Sequence, residues 1–168
     1  MYVIGIDPGL SRCGYGVVAA RRGGPQLVAC GVFRTPPDAP VPDRLAELQA
    51  AVRALLREHE PTVLAIERVL FQVNVRTAIP VAQAAGVAMA EGVGAGCEVV
   101  EYSPNQVKQA VAGVGQATKD QVERMVQTLL GIPQPLRPVD AADAVAIALC
   151  HLAHEPMRRR VTASTTAR

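Results

Sequence analysis

Aromatic residues and paired cysteines are scarce in this sequence. Its 168 residues include no tryptophan, two phenylalanines and three tyrosines, although 49% of them are apolar. We therefore expect one globular domain with an aliphatic core, in which an exposed phenylalanine would be conspicuous. The four cysteines contain no Cys-x-x-Cys pair, and the chain opens without a basic and then apolar leader, so we expect a reducing, cytoplasmic location.

Long hydrophobic runs and a strong net charge are also missing. No apolar run reaches membrane-spanning length without proline, glycine clusters or charge, and residues 79–95 come nearest, so we expect a soluble protein. The net charge of +2 hides an asymmetry, because residues 156–168 carry four arginines and no acid, which leaves 13 basic against 15 acidic residues in the body. We expect residues 156–168 to form a basic, disordered tail, with non-specific attraction to phosphates as the alternative role of its arginines.

The stretch YVIGIDPG near the start of the chain predicts a buried strand that ends at an acid. Residues 2–6 are nearly all apolar and include β-branched side chains, as in a strand buried on both faces, and a Pro-Gly pair then ends it. Asp7 would be held at the rim of a sheet, where Gly9, Gly14 and Gly16 allow backbone or a phosphate to come close. The alternative is that Asp7 only opens an Asp-Pro-Gly turn.

The rest of the chain predicts a mixed α/β sheet covered by helices. Strands are expected at residues 2–6, 16–20, 26–33, 63–66 and 98–102, and helices at residues 43–60, 78–96, 103–113, 118–131 and 140–154. Glu67 follows the fourth strand directly, as Asp7 follows the first. Two strands therefore each end in an acid.

Two further acids, Asp140 and Asp143, stand three residues apart at the expected start of the last helix. That spacing places them on one helix face, and a helix N-terminus favours negative charge. They could be surface acids that complement the helix dipole, but alanines and valines surround them, which is not typical of a solvated helix start. If this pair met Asp7 and Glu67, the four carboxylates would repel one another unless divalent cations lay between them. Magnesium or manganese suits such oxygen ligands, and two ions would promote phosphodiester hydrolysis.

Four segments resemble the Holliday junction resolvase RuvC family in order and spacing. They are IGIDPG at residues 4–9, AIE at 65–67, SPNQVK at 103–108 and DAADA at 140–144. The resemblance covers residues 2–154 and implies an RNase H-like fold, a mixed five-stranded sheet flanked by helices, within a nuclease domain of residues 1–155. It also implies a crossover junction endodeoxyribonuclease of DNA recombination and repair, a homodimer that nicks four-way junction DNA symmetrically, and a RuvA–RuvB branch-migration complex as partner.

The resemblance also implies roles for individual residues. It assigns two ions of Mg²⁺ or Mn²⁺ per active site to the family's catalytic, metal-binding acids, which in this chain are Asp7, Glu67, Asp140 and Asp143. It assigns the binding of backbone phosphates near the active site to Lys108 and Lys119.

One departure from the family concerns the loop after Glu67. Many members carry two aromatic residues there, whereas this chain has Leu70-Phe71. Because Phe71 follows the acid closely, on a loop that also carries Arg76, we expect this loop to contact DNA, with Phe71 stacking on an unpaired base at the junction centre. The alternatives are that Phe71 fills the core, as phenylalanine usually does, and that Leu70 takes the wedge position.

Two other functions are compatible with parts of the sequence. Half of an actin-like or sugar-kinase-like ATPase also begins with a strand followed by Asp-x-Gly, but that architecture closes two related domains over its nucleotide, and this chain has room for one. A non-catalytic junction-binding module would use the acids only structurally. Cleavage of a junction as magnesium is titrated separates this second alternative from a nuclease.

Overall fold

A five-stranded mixed sheet lies between two layers of helices. The computed structural model describes the backbone of residues 1–69 and 75–166 and the side chains of residues 1–69 and 78–155. The elements are β1 (Tyr2–Asp7), β2 (Arg12–Arg21), β3 (Gly24–Arg34), α1 (Val41–His59), β4 (Val63–Glu67), α2 (Val75–Gly94), β5 (Glu98–Tyr102), α3 (Pro104–Ala112), α4 (Lys119–Leu130) and α5 (Val139–Thr166). The order across the sheet is β3-β2-β1-β4-β5. The pairs β1–β2 and β2–β3 are antiparallel, whereas β1–β4 and β4–β5 are parallel, so the expected mixed α/β sheet is confirmed.

Alternate side chains of the strands enter two separate hydrophobic cores. Ile4 and Ile6 of β1 belong to a core shared with α1 and α2. Val3 belongs to the core on the other face, shared with α3, α4 and α5. Successive residues of a strand point to opposite faces, so a strand covered on both sides needs apolar residues at every position. This explains why β1 has a continuous apolar run.

Capping boxes fix the beginnings of α3 and α4. The backbone N–H of Gln106 donates to Ser103 Oγ at 3.3 Å, and Ser103 N–H donates back to the Gln106 side chain at 2.9 Å. Thr118 and Gln121 repeat the arrangement at 3.3 and 2.8 Å. Each box satisfies N–H groups that a helix start leaves without partners. Lys119 is consequently the first residue of a helix whose start is fixed.

Three helices differ from their expected bounds by two or more residues at an end. Helix α1 begins at Val41 rather than at residue 43, because proline is tolerated in a first turn, where N–H groups have no helical acceptor. Helix α2 already begins at Val75 and ends at Gly94. Helix α5 continues to Thr166 instead of ending at His154, since no glycine follows to end it. The division into a nuclease domain of residues 1–155 and a tail of residues 156–168 stays a prediction. No helix within the described backbone is long and apolar enough to cross a membrane.

Candidate active site

Asp7 and Glu67 lie side by side at one end of the sheet. The parallel register of β1 and β4 pairs Ile6 with Ile66, so the next residue of each strand reaches the same edge. Both strands are central in the sheet and buried on both faces. The two carboxylates are therefore carried by rigid strand ends rather than by mobile loops.

Helix α5 crosses β1 and β2 in direct backbone contact. A Cβ atom on Gly14 would lie 2.1 Å from the carbonyl oxygen of Asp140, and one on Gly5 would lie 2.0 Å from that of Ala144. Only glycine at these positions lets the first turns of α5 reach the sheet. Because Gly14 pairs with Asp7 across β1 and β2, this contact brings Asp140 beside the acid of β1.

All four expected acids line one cleft of about 400 Å³, the active-site cleft. Residues of α3 and α4 also contribute to its walls, including both expected lysines. The residues that line it are Asp7, Glu67, Pro104, Val107, Lys108, Lys119, Val122, Asp140, Asp143 and Ala146. The structure thus brings together six predicted residues, the four acids and the two lysines, that the sequence disperses over five elements.

Burial and mutual repulsion oppose ionisation of the two strand-end acids. Burial, followed by repulsion from the other three acids, raises the pKa of Asp7 to about 7, with Lys119 acting in the opposite direction. Burial, followed by the charge of Asp143, raises the pKa of Glu67. The cleft therefore concentrates negative charge that a bound cation would neutralise.

The two helix acids each face a cationic side chain. Asp140 Oδ2 accepts hydrogen bonds from Arg12, at 3.0 Å from Nε and also from Nη2, and these bonds lower the pKa of Asp140. Lys119 Nζ lies 3.3 Å from Asp143 Oδ2. Arg12 was not predicted as a site residue, because its only signal in the sequence is a basic residue shortly after Asp7.

The four acids form a suitable donor set for divalent cations but do not converge on one point. Among the side chains that the structure describes, no three Asp, Glu, His or Cys residues are gathered to hold one metal ion. Asp140 forms an ion pair with Arg12, and Asp143 forms one with Lys119. Carboxylate oxygens are nevertheless the ligands that hard divalent cations prefer, and cations would relieve the repulsion that raises the pKa of Asp7.

Three expected DNA contacts cannot be placed in the cleft. Leu70 and Phe71 lie outside the described residues. Arg76 has a described backbone in the first turn of α2, but its side chain lies outside the described part. The roles assigned to these three residues stay predictions.

Comparison with known proteins identifies the family. The family model described as "Crossover junction endodeoxyribonuclease RuvC" matches residues 3–151. A protein of that name from Salinispora arenicola (strain CNS-205) is 50% identical over 165 residues, which cover 98% of this chain and 94% of the relative. The protein of the same name from Moorella thermoacetica is 44% identical over 160 residues, covering 95% and 96% respectively.

Solved structures agree with that match. A structure of Thermus thermophilus RuvC superposes with a TM-score of 0.88 at 38% identity, covering 94% of this chain and 96% of the other. T. thermophilus RuvC in complex with Holliday junction substrate gives a TM-score of 0.85 at 36% identity, with the same coverage. The RNase H-like α/β fold implied by the sequence segments is thereby confirmed. On the family match and on relatives that align along nearly its whole length, the chain belongs to the RuvC family of crossover junction endodeoxyribonucleases.

Proposed function

We propose that this chain resolves Holliday junctions by paired, symmetric nicks, through phosphodiester hydrolysis that uses two divalent cations in each active site. The observation that carries the proposal is the active-site cleft, which gathers four acids and two lysines. The family to which the chain belongs consists of metal-dependent nucleases. Such an activity serves DNA recombination and repair.

The four carboxylates are the proposed catalytic and metal-binding residues. Mg²⁺ or Mn²⁺ held by their oxygens would supply activation of the attacking water and stabilisation of the leaving oxygen. Asp7 and Glu67 would provide ligands fixed by strand ends, and the first two turns of α5 would provide Asp140 and Asp143. Because Arg12 is hydrogen-bonded to Oδ2 of Asp140, a cation bound by that carboxylate would compete with a guanidinium.

Lys108 and Lys119 are the proposed phosphate-binding residues of the cleft. Both line it, and their charges act on Glu67 in the direction that favours its ionised form. The Lys119 side chain is 78% exposed, although its Nζ is close to Asp143. An exposed ammonium on a capped helix start is free to contact a phosphate and so to position the strand to be cut.

Four-way junction DNA and a second copy of the chain are the proposed partners. T. thermophilus RuvC, which is similar along most of the chain, is described in complex with Holliday junction substrate. A junction has two-fold symmetry, and a C2 dimer would present two active sites related by the same operation. We also assign to this chain the RuvA–RuvB complex as a partner, and the cytoplasm as its location.

Helix α2 offers a surface for that dimer. Among the described side chains of α2, five exposed residues recur at alternating spacings of four and three, which is the heptad pattern of helix pairs: Ile79, Gln83, Gly86, Ala90 and Val93. Val93 is 66% exposed and Ile79 is 50% exposed.

Sedimentation experiments test this surface. We expect Val93→Glu to shift the chain towards monomer, whereas Val114→Glu, at another exposed valine, should not. A wild-type chain that sediments only as a monomer at micromolar concentration would contradict the dimer.

The decisive experiment is incubation with a mobile four-way junction, with and without magnesium. We expect paired nicks only with magnesium, and no cutting by Asp7→Asn or Asp143→Asn. Both variants should bind the junction as well as the wild type or more tightly, because each loses a charge that repels phosphate. Asp43→Asn, at an exposed acid of α1, is the matched control and should cut normally. Retained cutting by either cleft variant would refute the two-metal assignment.

The same experiment tests the alternative of a non-catalytic module. Such a module would bind the junction but leave it intact at every magnesium concentration. The other alternative, half of an actin-like ATPase, is excluded by the family match over residues 3–151.

A further inference from the structure

Two arginines project from paired strand ends next to the active-site cleft. Arg12 of β2 and Arg34 of β3 stand directly opposite each other in the antiparallel register. Like charges at such a position destabilise a sheet. Asp140 balances the charge of Arg12, but Arg34 is exposed and forms no ion pair with any side chain that the structure describes. The charge of Arg34 also acts on Asp140, so the fold places two exposed cations beside one acid at this edge.

A third arginine, which is buried, is bonded to residues next to both strand ends. Arg44 of α1 is 8% exposed. Its Nε donates to Thr35 Oγ1 at 3.0 Å, and its Nη2 donates to Ser11 Oγ. Ser11 directly precedes Arg12, and Thr35 directly follows Arg34. One buried guanidinium therefore bridges the side chains of the two residues that adjoin the exposed arginines.

The partners of Arg44 are unusual for a buried charge. Its described side-chain hydrogen bonds go to hydroxyls, and it forms no ion pair with a described carboxylate. Burying a charge without a counter-charge is costly, so packing alone gives no reason for an arginine here. Arg12, Arg34 and Arg44 together place three positive charges near Asp140. The electrostatic potential there favours the binding of a phosphate.

We propose that Arg12 and Arg34, the basic corner, bind a backbone phosphate of the junction strand that passes through the active-site cleft, and that Arg44 is their positioning residue. This inference rests on the proposed function. The basic corner lies on the β2–β3 side of the acids, whereas Lys108 acts on Glu67 of β4. Strands β3 and β4 are three strand spacings apart, roughly 14 Å. The two sets of cations therefore contact different phosphates of one strand.

The affinity of the chain for an intact four-way junction tests this, measured in EDTA at several salt concentrations. We expect Arg34→Gln to weaken binding about tenfold, as the loss of a charge-assisted hydrogen bond does, and to lower the salt slope of log K by about 0.9, the value for one phosphate contact. Arg22→Gln is the matched control, because Arg22 is exposed in the turn at the other end of the β2–β3 hairpin. It should change neither quantity.

The outcomes separate this inference from the function on which it rests. A wild-type chain that binds the junction, with Arg34→Gln equal to it in affinity and slope, overturns the basic corner and leaves the proposed function standing. A wild-type chain that does not bind junctions overturns both.

The Arg44→Lys variant tests the positioning role of Arg44. Lysine keeps the charge but cannot bond to both hydroxyls, so we expect weaker junction binding and a salt slope lowered as in Arg34→Gln. An unchanged salt slope would reject the positioning role even if the melting temperature fell.

Discussion

Arg12 and Asp140 form a hydrogen-bonded ion pair at the edge of the active-site cleft, in which Nε and Nη2 of the arginine both donate to Oδ2 of the aspartate. The two residues are 128 positions apart in sequence. Asp140 is also a proposed metal ligand, so the arginine and a divalent cation compete for the same carboxylate. This competition sets how much negative charge the cleft offers to a metal.

Removing the competitor should tighten metal binding. In Arg12→Gln, Asp140 loses its guanidinium partner while its negative charge stays beside the other acids, so we expect the affinity for Mn²⁺ to rise several-fold. Isothermal titration calorimetry of the chain without DNA measures this. Arg22→Gln removes the same charge far from the cleft and should leave the affinity unchanged. Equal affinities for Arg12→Gln and the wild type would show that Arg12 does not compete.

The raised pKa of Asp7 predicts a pH-dependent stability when no divalent cation is present. Its pKa is about 7 in the folded chain against 3.8 as the ordinary value, so the native state holds a proton that the unfolded state releases within this window. The free energy of unfolding therefore falls as pH rises from about 4 to 7 and stays low above 7. The Asp7→Asn variant has no carboxyl to ionise at this position, so its stability does not fall in this way. We therefore expect the difference in melting temperature between Asp7→Asn and the wild type to be several °C larger at pH 8 than at pH 5. The same gain at both pH values in calorimetric scans would contradict a raised pKa.

Lys119 should matter more for cutting than for binding. If it steadies the scissile phosphate, Lys119→Ala should slow single-turnover cutting about tenfold at saturating enzyme, while the affinity for the junction changes much less. Arg124→Ala is the control, because Arg124 is exposed on the same helix but does not line the cleft. Cutting by Lys119→Ala at the wild-type rate would remove this lysine from the site.

The close contact between α5 and the sheet makes Gly14 irreplaceable. A Cβ there would lie 2.1 Å from a backbone oxygen, which no rotamer change relieves, so Gly14→Ala must push α5 away from β2. We expect a loss of about 2–3 kcal/mol in the free energy of unfolding, with loss of cutting because Asp140 moves. Gly23→Ala, where nothing lies within 4 Å of the added atom, should be neutral. Normal cutting by Gly14→Ala would mean that the position of Asp140 tolerates such a shift.

The proposed stacking of Phe71 on a base can be tested by changing the junction DNA. Stacking on a base is worth roughly 1–3 kcal/mol, so Phe71→Ala should slow cutting of an intact junction about tenfold or more without unfolding the chain. A junction with mismatches at its centre, where bases are already unstacked, should be cut at a partly restored rate. A sharply lowered melting temperature with no such rescue would instead place Phe71 in the core and leave Leu70 as the candidate wedge.

Much of the fold followed from local patterns in the sequence. The apolar runs before Asp7 and Glu67 predicted two buried strands that end in acids, because a strand covered on both faces needs apolar residues throughout. Ser103 and Thr118 marked helix starts by capping chemistry that acts within four residues. The start of α1 was less well predicted, because proline is tolerated both before a helix and in its first turn. The end of α5 was missed because no glycine marks it.

The sequence alone determined which residues are candidates for the site, since strand ends, helix caps and the spacing of Asp140 and Asp143 depend on near neighbours. The tertiary structure decided how those residues meet. The bond of Arg12 to Asp140, the packing of α5 on Gly14 and the bonds of Arg44 to Ser11 and Thr35 join distant parts of the chain. Such contacts depend on how the strands pair and on where a helix crosses the sheet, and no local pattern encodes these because their energies arise only when separate elements pack together.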